Sequence, residues 1–157
     1  MAKATCEKRV GRQHLNPMGT LHGGNLMKWM DEAGGYAAYS HCEHMCVTVQ
    51  VDSFEFLRPV FAKQTLLMKA TVNRTWNTSL EVGIRAEVRD ESGNNGHLVA
   101  SAYYVYVMLD EDRKPAKVPA FVPVTPDEKQ RWKEAGVRRR RRLREKLSRE
   151  ERSTATR

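Results

Sequence analysis

The segment from Gly23 to about His41 constrains the fold most, because its apolar residues follow the period of a helix and leave almost no polar face. One stripe at the spacing i, i+4, i+7 and i+11 consists of Leu26, Met30, Ala33 and Ala37. The other faces carry Met27, Trp29, Tyr36 and Ala38. A helix that is apolar on nearly every side is expected to be buried, so the rest of the chain has to cover it.

Two glycines, Gly34 and Gly35, interrupt this helix where they would lower its stability if they were exposed. A glycine leaves empty the space that a Cβ atom would fill. We therefore expect another backbone to approach the helix closely at this point.

The segments after the helix alternate in polarity, which predicts antiparallel strands. Residues 47–51 alternate, and the apolar phase then shifts at Asp52-Ser53, which predicts a bulge or a sharp bend. Residues 66–76 and 80–88 predict two further strands, the second with one apolar and one polar face. Residues 98–109 are apolar on both faces, so this strand is expected to be central or to meet a partner subunit.

A weaker strand is predicted over residues 3–13, and a cluster of turn-forming residues at 91–96 predicts a turn. One sheet must then wrap around one apolar helix, because nothing else is available to cover it. The expected fold class is α+β. Since a single layer leaves one face of the sheet half covered, we expect a homo-oligomer.

The end of the chain differs in composition from the rest. Thr125-Pro126-Asp127-Glu128 has the residues of a capping box and predicts a helix that runs to about Glu151. Residues 125–157 contain thirteen Lys/Arg and six Asp/Glu, whereas residues 1–124 contain fourteen and thirteen. We predict a globular domain over 1–124 and a basic helical tail over 125–157. Because the globular part is nearly neutral, nucleic-acid binding is not expected, and the run Arg138–Arg142 fits a solvated helix.

Composition also bears on the compartment. The first residues lack the apolar stretch of a secretory signal, and no apolar run reaches the roughly 18 residues of a membrane span. The three cysteines, Cys6, Cys42 and Cys46, form a sparse and odd set that favours free thiols. We expect a cytoplasmic protein without a membrane span.

No metal is expected, because His41, Cys42, His44 and Cys46 lack the second half of a zinc motif.

Polar groups gather at the start of the buried helix and inside it. Asp31 follows the stripe residue Met30, and a carboxylate in such a place must be paired, neutralised or functional. Gly23 and Gly24 offer backbone N–H groups at the positive end of the helix dipole, where an oxyanion can be held. One or two turns further along, Asp31 can activate a water. The alternatives are a carboxylate paired inside an oligomer interface and glycines that only form a turn.

Three segments together resemble one family. They are the pattern N-x-x-G-x-x-x-G-G-x-x-M-x-x-M-D-x-A from Asn16 to Ala33, the run Val51-Asp-Ser-Phe-Glu-Phe-Leu-Arg-Pro-Val60, and Asn77-Thr-Ser-Leu-Glu-Val82. In this order they are similar to the hotdog-fold acyl-CoA thioesterases, which include the brain-type acyl-CoA hydrolases and the bacterial YciA-like enzymes. The resemblance implies a long central helix wrapped by a curved antiparallel sheet. It also implies dimers with continuous sheets and hexamers built as trimers of those dimers.

The same resemblance implies hydrolysis of a fatty acyl-CoA to the free acid and CoA, with no cofactor beyond the CoA of substrate and product. Asp31 would be the general base and Asn16 would position the water or substrate, the two acting across the dimer interface. Gly23 and Gly24 would hold the thioester carbonyl, and His22 would add a donor or simply pack. Direct attack by Asp31, giving an anhydride, is an alternative. The implied contacts to CoA are Asn73, Arg74, Thr78 and Ser79.

Other functions compete with this one. A non-catalytic acyl-CoA-binding protein can use the same fold, and a hydroxyacyl-thioester dehydratase would combine His22 with Asp31 or Glu32. An RNA-binding role for the tail is a further alternative. No Gly-x-Ser-x-Gly motif is present, which argues against a serine hydrolase.

Overall fold

The computed structural model describes residues 3–89 and 95–155. The elements in chain order are β1 (Lys3–Arg9), a 3-10 turn (Arg12–His14), α1 (Gly23–Cys42), β2 (Cys46–Phe56), β3 (Thr65–Thr75), β4 (Ser79–Arg89), β5 (Asn95–Met108) and α2 (Pro126–Ala155). They fall into two compact units, Met1–Ala120 and Phe121–Arg157. The turn predicted at 91–96 falls largely on residues 90–94, which lie outside the described part of the chain.

The five strands form one antiparallel sheet in the order β1-β3-β4-β5-β2. β5, the strand that is apolar on both faces, lies between β4 and β2. Of its two predicted positions, central in the sheet or against a partner subunit, the first is therefore confirmed within the chain. The bulge predicted at Asp52-Ser53 is confirmed, because the pairing of β2 with β5 shifts between Asp52 and Glu55 and Ser53 has a φ of 52°. β2 is left at the edge of the sheet.

α1 packs against the sheet with the predicted stripe, whose members Leu26, Met30, Ala33 and Ala37 are all buried. The expectation of a helix covered on nearly every side is wrong for the single chain, since Tyr36 and Tyr39 are 63% and 55% exposed. A single sheet layer can cover only one face of the helix, so the face of α1 that points away from the sheet remains exposed.

The two helix glycines differ, and neither lies against another backbone in the described chain. A Cβ atom on Gly34 would overlap the hydroxyl of Tyr106 and lie 2.7 Å from Cδ1 of Ile84, whereas one on Gly35 would meet nothing within 4 Å. The close neighbours of Gly34 are therefore side chains of β4 and β5, not another backbone.

Two details of the strands also differ from expectation. The first strand ends earlier than residue 13, because Arg12–His14 turns back and the N–H of His14 bonds to the carbonyl of Gly11 at 3.0 Å. The polar face of β4 is not uniformly wet, since Glu81 on it is fully buried.

The second unit is organised by α2, whose predicted capping box is confirmed. The N–H of Glu128 donates to Oγ1 of Thr125 at 3.2 Å, and the Glu128 carboxylate accepts from the N–H of Thr125 at 3.0 Å. The helix continues to Ala155, past the predicted end at Glu151. Among the described residues, no helix has both the length and the apolarity needed to cross a bilayer.

Candidate active site

Asp31 is the charged residue around which the site is built, and it lies half-buried on α1. The hydroxyl of Thr48 donates to its Oδ1 at 2.5 Å. The hydroxyl of Tyr106 lies 3.1 Å from the same Oδ1 and 2.9 Å from the backbone carbonyl of Asp31. Thr48 and Tyr106 are directly opposite each other on β2 and β5, so their side chains share the face of the sheet that meets the helix.

The two oxygens of the Asp31 carboxylate are not equivalent. Within residues 3–89 and 95–155, each side-chain hydrogen bond of the carboxylate falls on Oδ1. Oδ2 is left to accept a further proton donor. A carboxylate fixed through one oxygen and open at the other has the form that a general base needs.

The hydroxyl of Tyr106 is held in its protonated form. Burial and the neighbouring Asp31 charge both raise the pKa of Tyr106 well above its usual range. Burial, followed by the same charge, also raises the pKa of Tyr104, whose hydroxyl donates to the carbonyl of Met27 at 3.0 Å. Both tyrosines therefore act as hydrogen-bond donors toward α1 at neutral pH.

Asn16 organises the loop before α1. Its Oδ1 accepts from the backbone N–H groups of Met18 at 3.0 Å and Thr20 at 3.2 Å, and its Nδ2 donates to Oγ1 of Thr20 at 3.0 Å. Gly19, at a φ of 78°, closes this turn. These bonds occupy the amide oxygen and one of the two amide hydrogens, so the second hydrogen can still face a ligand.

The start of α1 is capped by its own chain. Nδ1 of the exposed His22 accepts from the N–H of Gly24 at 3.0 Å, which makes His22 the N-cap residue. The predicted oxyanion donor Gly24 is therefore already engaged. In the described chain the N–H of Gly23 bonds to no other residue, so Gly23 is the one of the two predicted glycine donors whose N–H is still free.

A groove with a volume of about 400 Å³ opens beside this helix end. Its walls come from the loop before α1, the first turn of α1 and the segment after β2. The lining residues are Asn16, Thr20, Leu21, Gly23, Leu26, Phe56, Leu57, Arg58, Pro59 and Val60. The structure thus brings two predicted site residues, Asn16 and Gly23, to one apolar groove with a cationic side chain beside it.

Asp31 does not join that groove within one chain. Gly23 and Asp31 are eight residues apart on α1, which corresponds to about 12 Å along the axis of a helix. In the described residues no hydrogen bond links Asn16 to Asp31. Within one chain, Asp31 therefore lies apart from the groove at its own helix start.

The four residues predicted to contact CoA differ in accessibility. Asn73 is only 1% exposed and its Nδ2 donates to Oε1 of Glu81 at 3.3 Å, so this side chain is not presented to a ligand. Arg74, Thr78 and Ser79 are half-buried near the turn between β3 and β4. The guanidinium of Arg74 lies 5.8 Å from the centre of the Trp76 ring, where a cation–π contact holds it.

The geometry also bears on the dehydratase alternative. His22 caps the helix end, and Glu32 forms an ion pair with Lys8 at 3.1 Å. His22 is nine residues from Asp31 on the same helix, or about 13 Å along its axis. Within a chain, no described histidine is hydrogen-bonded to Asp31 or Glu32, so the pairing that a dehydratase needs is not formed.

Comparison with known proteins identifies the family. The family model of the thioesterase superfamily matches residues 18–96, and the chain belongs to that family. The sheet and the central helix of the chain form the hotdog fold. It is 33% identical over 127 residues to the cytosolic acyl coenzyme A thioester hydrolase of Rattus norvegicus, covering 80% of this chain. The chain spans only 33% of the length of that relative. It is 31% identical to the uncharacterized acyl-CoA thioester hydrolase YkhA of Bacillus subtilis, over 81% of this chain and 74% of YkhA.

Solved structures extend the comparison. An acyl-CoA hydrolase from Staphylococcus aureus, solved with butyryl coenzyme A, coenzyme A and coenzyme A disulfide, matches with a TM-score of 0.87 and 29% identity, covering 96% of this chain and 92% of that one. An apo-hexameric acyl-CoA thioesterase matches with a TM-score of 0.85 and 27% identity, over 92% of each chain.

Three more structures of the Staphylococcus aureus enzyme carry alanine in place of an asparagine, an aspartate or a threonine, with TM-scores of 0.89, 0.86 and 0.87. In that enzyme the aspartate follows the asparagine by fifteen positions and the threonine follows the aspartate by seventeen. Asn16, Asp31 and Thr48 have the same two spacings here.

Proposed function

We propose that this chain is an acyl-CoA thioester hydrolase and that Asp31 is its general base. The observation that carries the proposal is the carboxylate of Asp31, anchored through Oδ1 by Thr48 and Tyr106 and open at Oδ2. The family to which the chain belongs and the relatives that resemble it support the same activity. The shared spacing of Asn16, Asp31 and Thr48 supports these residues as the working set.

We propose that the active site is formed by two chains. The groove with Asn16 and Gly23 is one half of it. The other half is Asp31 with Thr48 and Tyr106, about 12 Å away along α1 in the same chain. A second copy that brings its Asp31 to the groove of the first completes the site, and symmetry then creates two such sites per dimer.

Features of the surface support such a dimer. β2 is an edge strand whose Val47, Val49 and Val51 are partly or largely exposed, and an edge of this kind pairs readily with another strand. Exposed Tyr36 and Tyr39 extend the apolar area along α1. A trimer of these dimers is the larger assembly we propose, in line with the hexameric thioesterase that shares the fold.

The proposed reaction uses few groups. Oδ2 of Asp31 takes a proton from a water while the water oxygen bonds to the thioester carbonyl carbon. The oxyanion that forms accepts from the N–H of Gly23 at the positive end of the helix, and the remaining amide hydrogen of Asn16 orients the water or the substrate. The intermediate then expels the CoA thiolate, which takes the proton back from Asp31. The products are the free acid and CoA.

We propose a fatty acyl-CoA as substrate and the cytoplasm as the compartment. The apolar groove suits an acyl chain, and Arg58 beside it suits an anionic group of CoA. Arg74, Thr78 and Ser79 remain proposed contacts of CoA. One relative named above is called cytosolic.

The test is hydrolysis of acyl-CoA substrates, followed by release of the free thiol. Asp31→Asn keeps an acceptor at Oδ1 for Thr48 and Tyr106 but cannot take a proton, so kcat is expected to fall by about 10²–10⁴-fold with the fold intact. Full activity of Asp31→Asn would contradict the proposed mechanism. Tight binding of CoA without hydrolysis by the native protein would instead support the non-catalytic alternative.

A further inference from the structure

The contacts of Tyr106 point to a role for this residue that neither the sequence motifs nor the relatives assign. We propose that Tyr106 is a positioning residue, which fixes Asp31 in its working orientation by binding its backbone carbonyl and its carboxylate at once. The inference rests on the proposed function.

The first observation is the double contact. The hydroxyl of Tyr106 lies 2.9 Å from the backbone oxygen of Asp31 and 3.1 Å from its Oδ1. One proton shared between these two acceptors ties the side chain of Asp31 to its own main chain. The side-chain torsions of Asp31 are then restricted, and Oδ2 is left without a hydrogen bond in the described chain.

The second observation is that the backbone makes room for this contact. A Cβ atom on Gly34 would overlap the Tyr106 hydroxyl and lie 3.1 Å from Cζ of the ring. Gly34 is buried in the middle of α1, where a glycine destabilises the helix compared with alanine. The helix therefore carries a destabilising residue at the position that admits the hydroxyl.

The third observation is that the neighbouring tyrosine provides a comparison. Tyr104 lies on the same face of β5, and its hydroxyl donates to the carbonyl of Met27, one helical turn before Asp31. Both tyrosines attach the sheet to α1, but only Tyr106 also reaches a carboxylate. Attachment of the helix alone would not require that second contact.

The experiment compares Tyr106→Phe with Tyr104→Phe, each of which removes one buried hydroxyl bound to a helix carbonyl. Both variants should lose similar thermal stability, measured by Tm. Only Tyr106→Phe should lose kcat, by about 10- to 100-fold, as a misplaced catalytic group does. Its KM should stay within about twofold, because in the proposed role Tyr106 acts on Asp31 and not on the substrate.

A second pair of variants approaches Tyr106 from the helix. Gly34→Ala displaces the hydroxyl and should reproduce the kcat loss of Tyr106→Phe, whereas Gly35→Ala, whose Cβ meets nothing within 4 Å of this chain, should not. The double variant Gly34→Ala/Tyr106→Phe should have a kcat little lower than that of Tyr106→Phe, because both substitutions affect Asp31 through one hydroxyl. Its Tm should be lower, because the new Cβ also lies 2.7 Å from Cδ1 of Ile84.

The outcomes separate the two proposals. Normal kcat in Tyr106→Phe, or equal losses of kcat in the two tyrosine variants, would overturn the positioning role while leaving the hydrolase proposal in place. Failure of the native protein to release thiol from any acyl-CoA would overturn the proposed function, and the positioning role with it.

Discussion

At the scale of single residues, the site depends on how one carboxylate is held. The sequence indicated Asp31, because an acid next to the apolar stripe of a helix requires an explanation. It did not indicate Thr48 or Tyr106, which come from two other segments of the chain and meet Asp31 only once β2 and β5 pair. The alternation of β2 and the apolar character of β5 predicted strands, but no local pattern marks one hydroxyl among them.

Thr48 is expected to contribute to turnover through its 2.5 Å hydrogen bond to Asp31. Thr48→Val removes the hydroxyl while keeping the β-branched shape on an exposed edge strand. A hydrogen bond to a charged group is worth about 1.5–3 kcal/mol, so kcat should fall by roughly 10- to 100-fold. Thr48→Ser keeps the donor and should retain most of the kcat, measured by thiol release. Equal losses in both variants would assign the effect to packing.

At the scale of elements, α1 was the part of the fold most open to prediction from sequence. Its start, its end and its buried stripe all follow from apolar spacing over twenty residues. The pattern could not show which faces the chain itself covers, and Tyr36 and Tyr39 remain exposed for that reason. Apolarity predicts that a surface will be buried, but it does not say by which molecule.

The hydrogen bonding at the start of α1 was predicted less accurately. The sequence placed oxyanion donors at Gly23 and Gly24, but the ring of His22 occupies the N–H of Gly24. A histidine is a rarer N-cap than serine, threonine, asparagine or aspartate, so the capping preference gave little reason to expect it. Of the two glycines, only Gly23 keeps its N–H without a partner in the described chain, and Gly23 lines the groove.

Gly23→Ala is expected to narrow the groove without removing the N–H. The new Cβ would lie 3.2 Å from two atoms of the Phe56 ring, which must move. KM for acyl-CoA should rise by roughly tenfold, or about 1.4 kcal/mol, with little change in kcat. Steady-state kinetics over a series of acyl lengths would measure it. An unchanged KM for every length would exclude the groove as part of the substrate site.

At the scale of the whole molecule, the proposed site is shared between two chains. The sequence motif places Asn16 and Asp31 only fifteen residues apart, which suggests one compact centre. The helix separates them, because each residue between Gly23 and Asp31 adds about 1.5 Å along the axis. Only the resemblance to known thioesterases suggested that two chains cooperate, and the geometry of one chain supplies an independent physical reason for it.

Mixing two inactive variants tests this arrangement directly. Asn16→Ala and Asp31→Asn each damage both sites of a homodimer. In a mixed dimer, one site receives the intact Asn16 of one chain and the intact Asp31 of the other, while the second site receives both defects. Random re-pairing places half of the chains in mixed dimers, so about a quarter of native activity should return. The mixture would be prepared by co-expression with two affinity tags, and thiol release would be measured before and after selection for both tags.

If the dimer is the final assembly, selection for both tags should raise the recovered activity toward about one half of the native value, because every dimer then contains one intact site. In a trimer of dimers the value should stay near one quarter, because a hexamer with both tags can still contain unmixed dimers. Two controls are required: separately purified variants mixed without subunit exchange, and co-expressed Asp31→Asn chains with different tags. Neither can form an intact site, so neither should recover. If Asn16 and Asp31 instead acted within one chain, the mixed dimers would stay as inactive as their parents, because each chain lacks one of the two residues. The experiment therefore distinguishes a site shared between chains from one contained in a single chain, whatever the final number of subunits.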